Sequence, residues 1–396
     1  MIVEIKGVGF ENKGAHLMLL AIVEQLRTRW PNARIAMARS CGTAQQRSTV
    51  SALLKCSLRK SWLDLNTLAY YLPRWLRRAL IGIGIVTEAD LDVILDASGF
   101  AYSDQWPATL RMWHLKRELG RCKKYRIPYV FLPQAFGPFS DSGTGADVAA
   151  SFSQAALICA RESQSHQHIT KHTGSLDNLA VYGDFTPLIK GHEVRLVTLD
   201  NHQLPLSYAA CIVPNHNMLS ARNVHPSWVS RYSEMLVEAI EYYRERGLTP
   251  FFLNHEGAAD SELIATINRR LPTPVVVEND PLRVKGLLGA SRAVLCSRYH
   301  GCISALSQGV ACVGTSWSHK YDALYAEYAV TELLLPPAVS TEQLRRVIDI
   351  SLDCESDLQQ RIGLRSAALK SETEWMWQTV QRTVGQYPLT DERNEG

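Results

Sequence analysis

The sequence predicts an α/β chain of two Rossmann-like domains followed by a helical tail. Three observations carry that prediction. Short apolar runs fit for buried parallel strands, among them 2–6, 91–96, 157–160, 209–213 and 293–297, alternate with stretches of helical period. The alternation breaks at 185–207, where Pro187, Gly191 and Pro205 sit among mixed polar residues, and then restarts. Residues that can do chemistry gather where the runs end, and in a doubly wound sheet that is the edge where ligands bind.

The 396 residues leave room for two ordinary domains, each with its own core, and 46% hydrophobic with 20% charged residues is a globular composition. The expected boundaries are 1–190 for the first domain, 205–335 for the second and 336–396 for the tail. A formal net charge of +3 is too mild for a nucleic-acid partner, which calls for a concentrated basic face. Nine cysteines are scattered singly, several inside apolar runs, with no Cys-x-x-Cys pair, so they read as reduced core residues of a cytoplasmic protein and metal is not expected. The chain starts directly on a strand, without the pattern of a signal peptide, and has no run of 18 apolar residues. One segment, 61–86, mixes Trp, Tyr and Leu with Arg74, Arg77 and Arg78. That is the composition of a helix lying on an anionic membrane surface, or equally of a helical insert packed on the domain.

In chain order, 2–6 leads into a turn carrying Gly7, Gly9 and Gly14, then a helix at 15–30 with Leu17, Met18, Ala21, Ile22 and Leu26 on one face. Asn12 stands where the third glycine of a dinucleotide fingerprint belongs, and the next strand ends in Ser40 rather than an acid, so a nicotinamide cofactor is not expected. His16 lies in the helix's first turn, within reach of a ligand. The strand at 91–96 runs into Ala97, Ser98 and Gly99, small enough for close backbone approach. Ser98, Tyr102, Ser103, Asp104 and Gln105 then offer donors and acceptors suited to sugar hydroxyls. A strand at 128–132 ends in a loop with Gln134, and one at 157–160 ends at Arg161, placed for a phosphate or carboxylate. His168 and His172 lie four apart on the next helix, but with no third ligand nearby they read as solvent-exposed.

After 185–207, read as a linker, strands at 209–213, 250–253, 274–278, 293–297 and 310–315 alternate with helices at 226–246, 260–270, 281–289 and 301–308. The strand ends deliver His216, His255, His300 and His319 to one edge. Arg298 and His300, at a strand-to-helix turn whose helix opens at Gly301, form an anion site with the free backbone N–H groups there. Lys320 adds an ammonium at the same edge. The tail at 341–387 is helical, and such tails return to pack on the first domain.

The run Cys-Ser-Arg-Tyr-His-Gly at 296–301, Ala-Leu-Ser-Gln-Gly-Val at 305–310 and Trp-Ser-His-Lys at 317–320 resembles the C-terminal signature of the polysaccharide pyruvyl transferase family. Gly9-Phe-Glu-Asn12-Lys-Gly14 is similar to its N-terminal Gly-x-x-Asn-x-Gly element. Gln134 with Gly137-Pro138, and Arg161-Glu162 with Ser163 or Ser165, resemble two further blocks. Three departures stand out: Ala311 for a proline, Ala15 for an acid, and Ala97-Ser98-Gly99 for a run of glycines. The resemblance covers roughly 5–335 and implies two domains facing across a cleft, like the GT-B glycosyltransferases.

It implies transfer of pyruvate from phosphoenolpyruvate to two hydroxyls of a saccharide, soluble or lipid-linked, in surface or exopolysaccharide biosynthesis, without cofactor or metal. On that expectation Arg161, Arg298, Gly301, His319 and Lys320 hold the donor, and His300 protonates the enol methylene because imidazole titrates near working pH. His216, His255 or Asp104 serves as base, and Asn12, His16, Ser98, Gly99, Tyr102 and Gln134 meet the acceptor. The expected place is the cytoplasm, at the inner face of the membrane if 61–86 lies on lipid. Alternatives are a GT-B glycosyltransferase using a nucleotide sugar and a non-catalytic saccharide-binding relative; a sugar reductase is disfavoured by the missing fingerprint.

Overall fold

Two parallel sheets organise the chain in the computed structural model, which describes residues 1–104, 108–140, 142–221 and 223–390. Gln105 lies outside the described residues. The first compact unit comprises Met1–Phe10, Met18–Phe185 and the chain from Glu372 onward; the second comprises Glu11–Leu17 and Thr186–Ser371. The helix Lys13–Arg29 therefore has residues in both, and so does the final helix Glu355–Val384.

The sheet of the first unit has eight parallel strands in the spatial order Leu179–Val181, Leu157–Ala160, Tyr129–Gln134, Val93–Asp96, Ile2–Lys6, Arg34–Ala38, Leu53–Lys55 and Ile85–Val86. From Ile2–Lys6 the chain winds outward to Ile85–Val86, comes back beside its own start with Val3 opposite Val93, and winds the other way. The reversal is a topological switch point, and it places the loops after Lys6 and Asp96 side by side. Gly7, at φ 75°, lies so close to Ser98 that any side chain there would overlap it. Beneath this edge Lys55, buried, pairs with Glu4 at 2.6 Å and Glu118 at 3.3 Å, and Lys6 reaches Glu118 at 2.6 Å. Burial raises the Glu4 carboxyl, while Lys6 and Lys55 hold Glu118 well below the usual carboxylate range against its own burial.

The second unit has five parallel strands in the order Val275–Val277, Thr249–Asn254, Ala209–Val213, Ala293–Cys296 and Cys312–Gly314. Ala209–Val213 is buried along its whole length, as a central strand covered on both faces must be. Its two neighbours, Thr249–Asn254 and Ala293–Cys296, are reached in opposite winding directions, so the switch point lies between Val213 and Cys296.

Three segments depart from the sequence reading. The 185–207 linker contains a hairpin, Leu196–Leu199 with His202–Pro205, because Asp200 and Asn201 both take the left-handed φ that a tight two-residue turn needs. The 61–86 segment is α-helical over only Arg74–Gly82, with a short 3-10 helix at Asn66–Tyr71. Before Pro73 it forms a small antiparallel pair, Arg59–Lys60 with Leu63–Asp64, tied by Asn66, whose side chain bonds to Asp64 and to the backbone N–H of Leu58. His168 and His172 are half-buried rather than exposed, with His168 Nδ1 2.8 Å from the Phe136 carbonyl. The nine cysteines are all free, but Cys354 is exposed and Cys41 and Cys56 only half-buried. In the first unit Trp377 of the final helix packs edge-on to Phe185, and Glu374 pairs with Arg29 at 2.5 Å.

Candidate functional site

The apolar run Ala293–Cys296 ends at Ser297, and a buried polar lattice locks that residue in place. Its carbonyl accepts from Asn215 Nδ2 at 2.8 Å and Tyr321 Oη at 2.9 Å; its hydroxyl lies 2.6 Å from Tyr232 Oη and 2.8 Å from Thr315 Oγ1. Trp317 Nε1 donates to Tyr321 Oη at 2.9 Å. Asn215, Ser297 and Thr315 follow three adjacent strands, so one network fixes three loops at the switch point. Arg298 comes next, in extended backbone, as the cap of the helix Tyr299–Leu306.

The Arg298 guanidinium is held by two carboxylates. Asp260, fully buried in the first turn of the helix Gly257–Asn268, receives Nη2 at 2.5 Å and Nε at 3.0 Å, and also accepts the His216 backbone N–H at 2.9 Å. Glu256 contacts Nη1. The Glu256 carboxylate is in turn held by Asn12 Nδ2 at 2.6 Å, while Asn12 Oδ1 accepts from the Ala15 N–H at 3.1 Å. Burial pushes the Asp260 carboxyl up to about 7 against the His216 N–H, which lowers it, and is the main cause that brings the Arg298 guanidinium down to about 10. Two-point contact between them favours the charged form of both, so the pair is ionic at neutral pH.

His300 is the second residue of the same helix, half-buried, its ring 5.4 Å from that of Tyr299. A side chain on residue 14 would overlap the His300 imidazole, which is the physical reason Gly14 must be glycine. A side chain at residue 301 would likewise meet Cys296 Sγ, so Gly301 lets the helix close onto the strand. His216 is exposed on its loop. His319 caps the helix Lys320–Glu327, and the Lys320 ammonium lies 4.6 Å from the Trp317 ring centroid and 5.4 Å from that of Tyr299.

His255 is buried, and its Nδ1 has no hydrogen-bond partner among the described residues. Burial, and after it the positive charges of Arg298, His300 and Lys13, hold its pKa well below the ordinary value. The native state thus refuses a proton that the unfolded chain takes up near pH 6.5. Stability is retained above that pH and falls as the pH drops, by up to about 1.4 kcal/mol per unit until the native pKa is reached. Denaturant titrations at pH 7.5, 6.5 and 5.5 should show this loss, and His255→Gln should flatten it; parallel curves for the two proteins would discount the assignment.

The residues of the first unit have mostly internal partners. Asp96, wholly buried, accepts Ser98 N–H at 3.0 Å, Ser98 Oγ and Tyr129 Oη at 2.5 Å, and Tyr102 Oη at 2.7 Å, while its carbonyl takes Gln134 Nε2 at 3.1 Å. The Ser98 and Tyr102 hydroxyls expected to meet an acceptor thus bind inward, and Gln134 is itself buried. Gly99 takes φ 70° beside them. Asp104 is exposed and accepts the Ser140 N–H at 2.7 Å. Arg161 is buried and pairs with Asp184 at 3.4 Å and with Glu162 at 3.9 Å. The structure therefore groups Asn12, His16, His216, His255, Arg298, His300, Gly301, His319 and Lys320 in the second unit, and Ser98, Gly99, Tyr102, Asp104, Gln134 and Arg161 in the first. Asp260 and Glu256, the two carboxylates that hold Arg298, were not among the expected site residues.

The fold has known counterparts. UDP-GlcNAc 2-epimerase from Neisseria meningitidis, solved with UDP-GlcNAc, superposes with a TM-score of 0.58 at 10% identity over 96% of this chain and 99% of that one. The Anabaena protein HepE with UDP and glucose gives 0.56 at 10% identity over 98% and 100%. A Rickettsia africae glycosyltransferase gives 0.55 at 9% identity over 97% and 97%. These are GT-B-type enzymes, and at such identities the likeness shows the fold class alone. No curated relative matches the chain. The sequence pattern of one family does match, over residues 12–319, from Asn12 through Arg298 and His300 to His319. Because that match spans most of the sequence and contains the Arg298 centre, the chain belongs to the polysaccharide pyruvyl transferase family.

Proposed function

We propose that this protein transfers pyruvate from phosphoenolpyruvate to two hydroxyls of a saccharide during surface or exopolysaccharide biosynthesis, forming a cyclic ketal and releasing phosphate. The observation that carries the reading is the clamped Arg298 guanidinium beside His300 at a helix start, inside the stretch matched by the family.

The donor brings a carboxylate and a phosphate. Asp260, wholly buried, keeps the guanidinium aimed. Glu256, about a third exposed, covers the remaining Nη1 edge and is the carboxylate that the donor's own displaces. The ammonium of Lys320 and the backbone N–H groups at the start of Tyr299–Leu306 add positive potential for the phosphate. Arg161, in the first unit, is paired with Asp184.

His300 delivers a proton to the enol methylene, which becomes the ketal methyl, and the central carbon turns electrophilic. One saccharide hydroxyl adds to that carbon, with exposed His216 taking its proton. The C–O bond to phosphate then breaks, and the second hydroxyl closes the ring. Of the two hydroxyl protons, one replaces the proton given to the methyl and the other leaves with phosphate, so the sum is neutral in atoms and charge. His255, held neutral, suits a hydrogen-bonding role better than proton storage.

The test is thermal unfolding with phosphoenolpyruvate, inorganic phosphate and UDP in parallel, because a ligand of the native state alone raises stability by mass action. At a concentration of 100 times Kd the gain is about 2.7 kcal/mol. A rise with phosphoenolpyruvate beyond that with phosphate supports the proposal. A rise with UDP and none with phosphoenolpyruvate replaces it with nucleotide-sugar chemistry, the reading that the UDP-bound structural counterparts favour.

A further inference from the structure

The insert between Leu53–Lys55 and Ile85–Val86 exposes what a soluble surface ordinarily hides. Trp62, Leu63, Leu68, Tyr71, Trp75 and Ile83 are each more than half exposed. On the helix Arg74–Gly82 the outward residues Arg74, Trp75, Arg78 and Ala79 follow helical spacing, so an indole and two guanidinium groups share one face. Residues 58–86 contain five basic side chains and a single acid, Asp64. That acid is buried and taken by Arg121 at 2.8 Å. The exposed face of the insert therefore carries positive charge and apolar bulk with no carboxylate to offset it.

Next to this helix is a cavity of about 370 Å³ whose lining includes Arg34, Arg74, Arg77, Arg78 and Ile81. Its two carboxylates are engaged: Asp90 by Arg77 at 3.3 Å and by the Thr87 N–H at 2.8 Å, Asp92 by the Ile2 N–H at 2.6 Å and by Thr390. Arg77 is thereby a buried structural residue, so of the three arginines singled out in the sequence only Arg74 and Arg78 face out; Arg34 joins them. None of Arg34, Arg74 and Arg78 has an ion pair among the described residues.

We infer that this insert docks on an anionic phospholipid bilayer. Trp62, Tyr71, Trp75 and the neighbouring aliphatic groups enter the headgroup and acyl boundary, while Arg34, Arg74 and Arg78 receive lipid phosphates. Charge complementarity selects this occupant: cations interleaved with aromatic residues, and no exposed acid within residues 58–86, match the interface of an anionic leaflet. Among the described residues no helix is long and apolar enough to cross a membrane, so the attachment is peripheral. The inference is independent of the reaction proposed above, and its test uses no activity.

Co-sedimentation of the full chain with phosphatidylcholine vesicles containing phosphatidylglycerol, against vesicles of phosphatidylcholine alone, is the experiment. Binding is expected only with the anionic lipid and should weaken in high salt. At about a fivefold contribution per arginine, the triple variant Arg34→Ala/Arg74→Ala/Arg78→Ala should weaken it on the order of a hundredfold. As a readout that does not rest on those positions, brominated phosphatidylglycerol should quench tryptophan fluorescence in the wild type and far less in Trp62→Phe/Trp75→Phe. No sedimentation, equal partition onto neutral vesicles, a triple variant that binds like the wild type, or quenching unchanged in the double variant would each overturn the inference.

Discussion

Arg298→Ala should lower kcat/KM for pyruvyl transfer on the order of a thousandfold and erase the stabilisation by phosphoenolpyruvate. The reasoning starts from charge. The donor is a polyanion whose leaving phosphate gains charge as its C–O bond breaks, and a preorganised cation aimed at that change typically contributes a factor of about 10²–10³ in rate. Arg298 is preorganised to an unusual degree: its backbone is fixed by the Ser297 lattice and its guanidinium by two-point contact with Asp260. Lysine keeps the charge but not the planar fork, so Arg298→Lys should recover donor binding only in part. The pair of variants separates charge from geometry. Because alanine leaves Asp260 buried without its cation, a melting curve must accompany the assay, and Asp260 will then take up a proton near neutral pH, where its burial already pushes it. Wild-type turnover in folded Arg298→Ala would take Arg298 out of the mechanism.

The same centre shows what the sequence could and could not disclose. Apolar runs at 209–213 and 293–297 are legible because a strand buried on both faces tolerates little but apolar residues, and the observed Ala209–Val213 and Ala293–Cys296 follow them closely. Arg298 and His300 are legible because a strand end opening a helix is where a doubly wound sheet meets its ligand. Partners are a different matter. Asp260 lies in the first turn of a helix, where an acid is expected for the helix dipole alone, and nothing local says that it will reach across to Arg298 from 38 residues away. Asn12 reads as an acceptor ligand in the turn after the first strand, yet its amide holds Glu256, 244 residues on. Asp96 misleads in the opposite sense, since Ser98 and Tyr102 after it read as sugar ligands until the buried carboxylate turns their hydroxyls inward. Periodicity reports burial; it does not report which polar group satisfies which.

His300→Ala should leave the fold and donor binding nearly intact while lowering kcat by about 10²–10⁴, the usual contribution of a positioned acid or base. The imidazole stands one helical position past Tyr299 on a backbone already fixed by Arg298, so its removal disturbs no hydrogen bond of the Ser297 lattice. Ground-state anion binding rests on Arg298 and Lys320, which is why KM for phosphoenolpyruvate should move little. Proton delivery to the methylene is lost. Exogenous imidazole should restore part of the rate in the alanine variant, because the cavity left by the ring opens beside Gly14, where no side chain stands. Gly14→Val provides the complementary change: it keeps the imidazole but drives it from its place, and should depress kcat without rescue by imidazole. If His300→Ala turned over at the wild-type rate, protonation of the enol would have to come from another group on this edge; if it lost phosphoenolpyruvate binding instead, His300 would be a donor ligand rather than the acid.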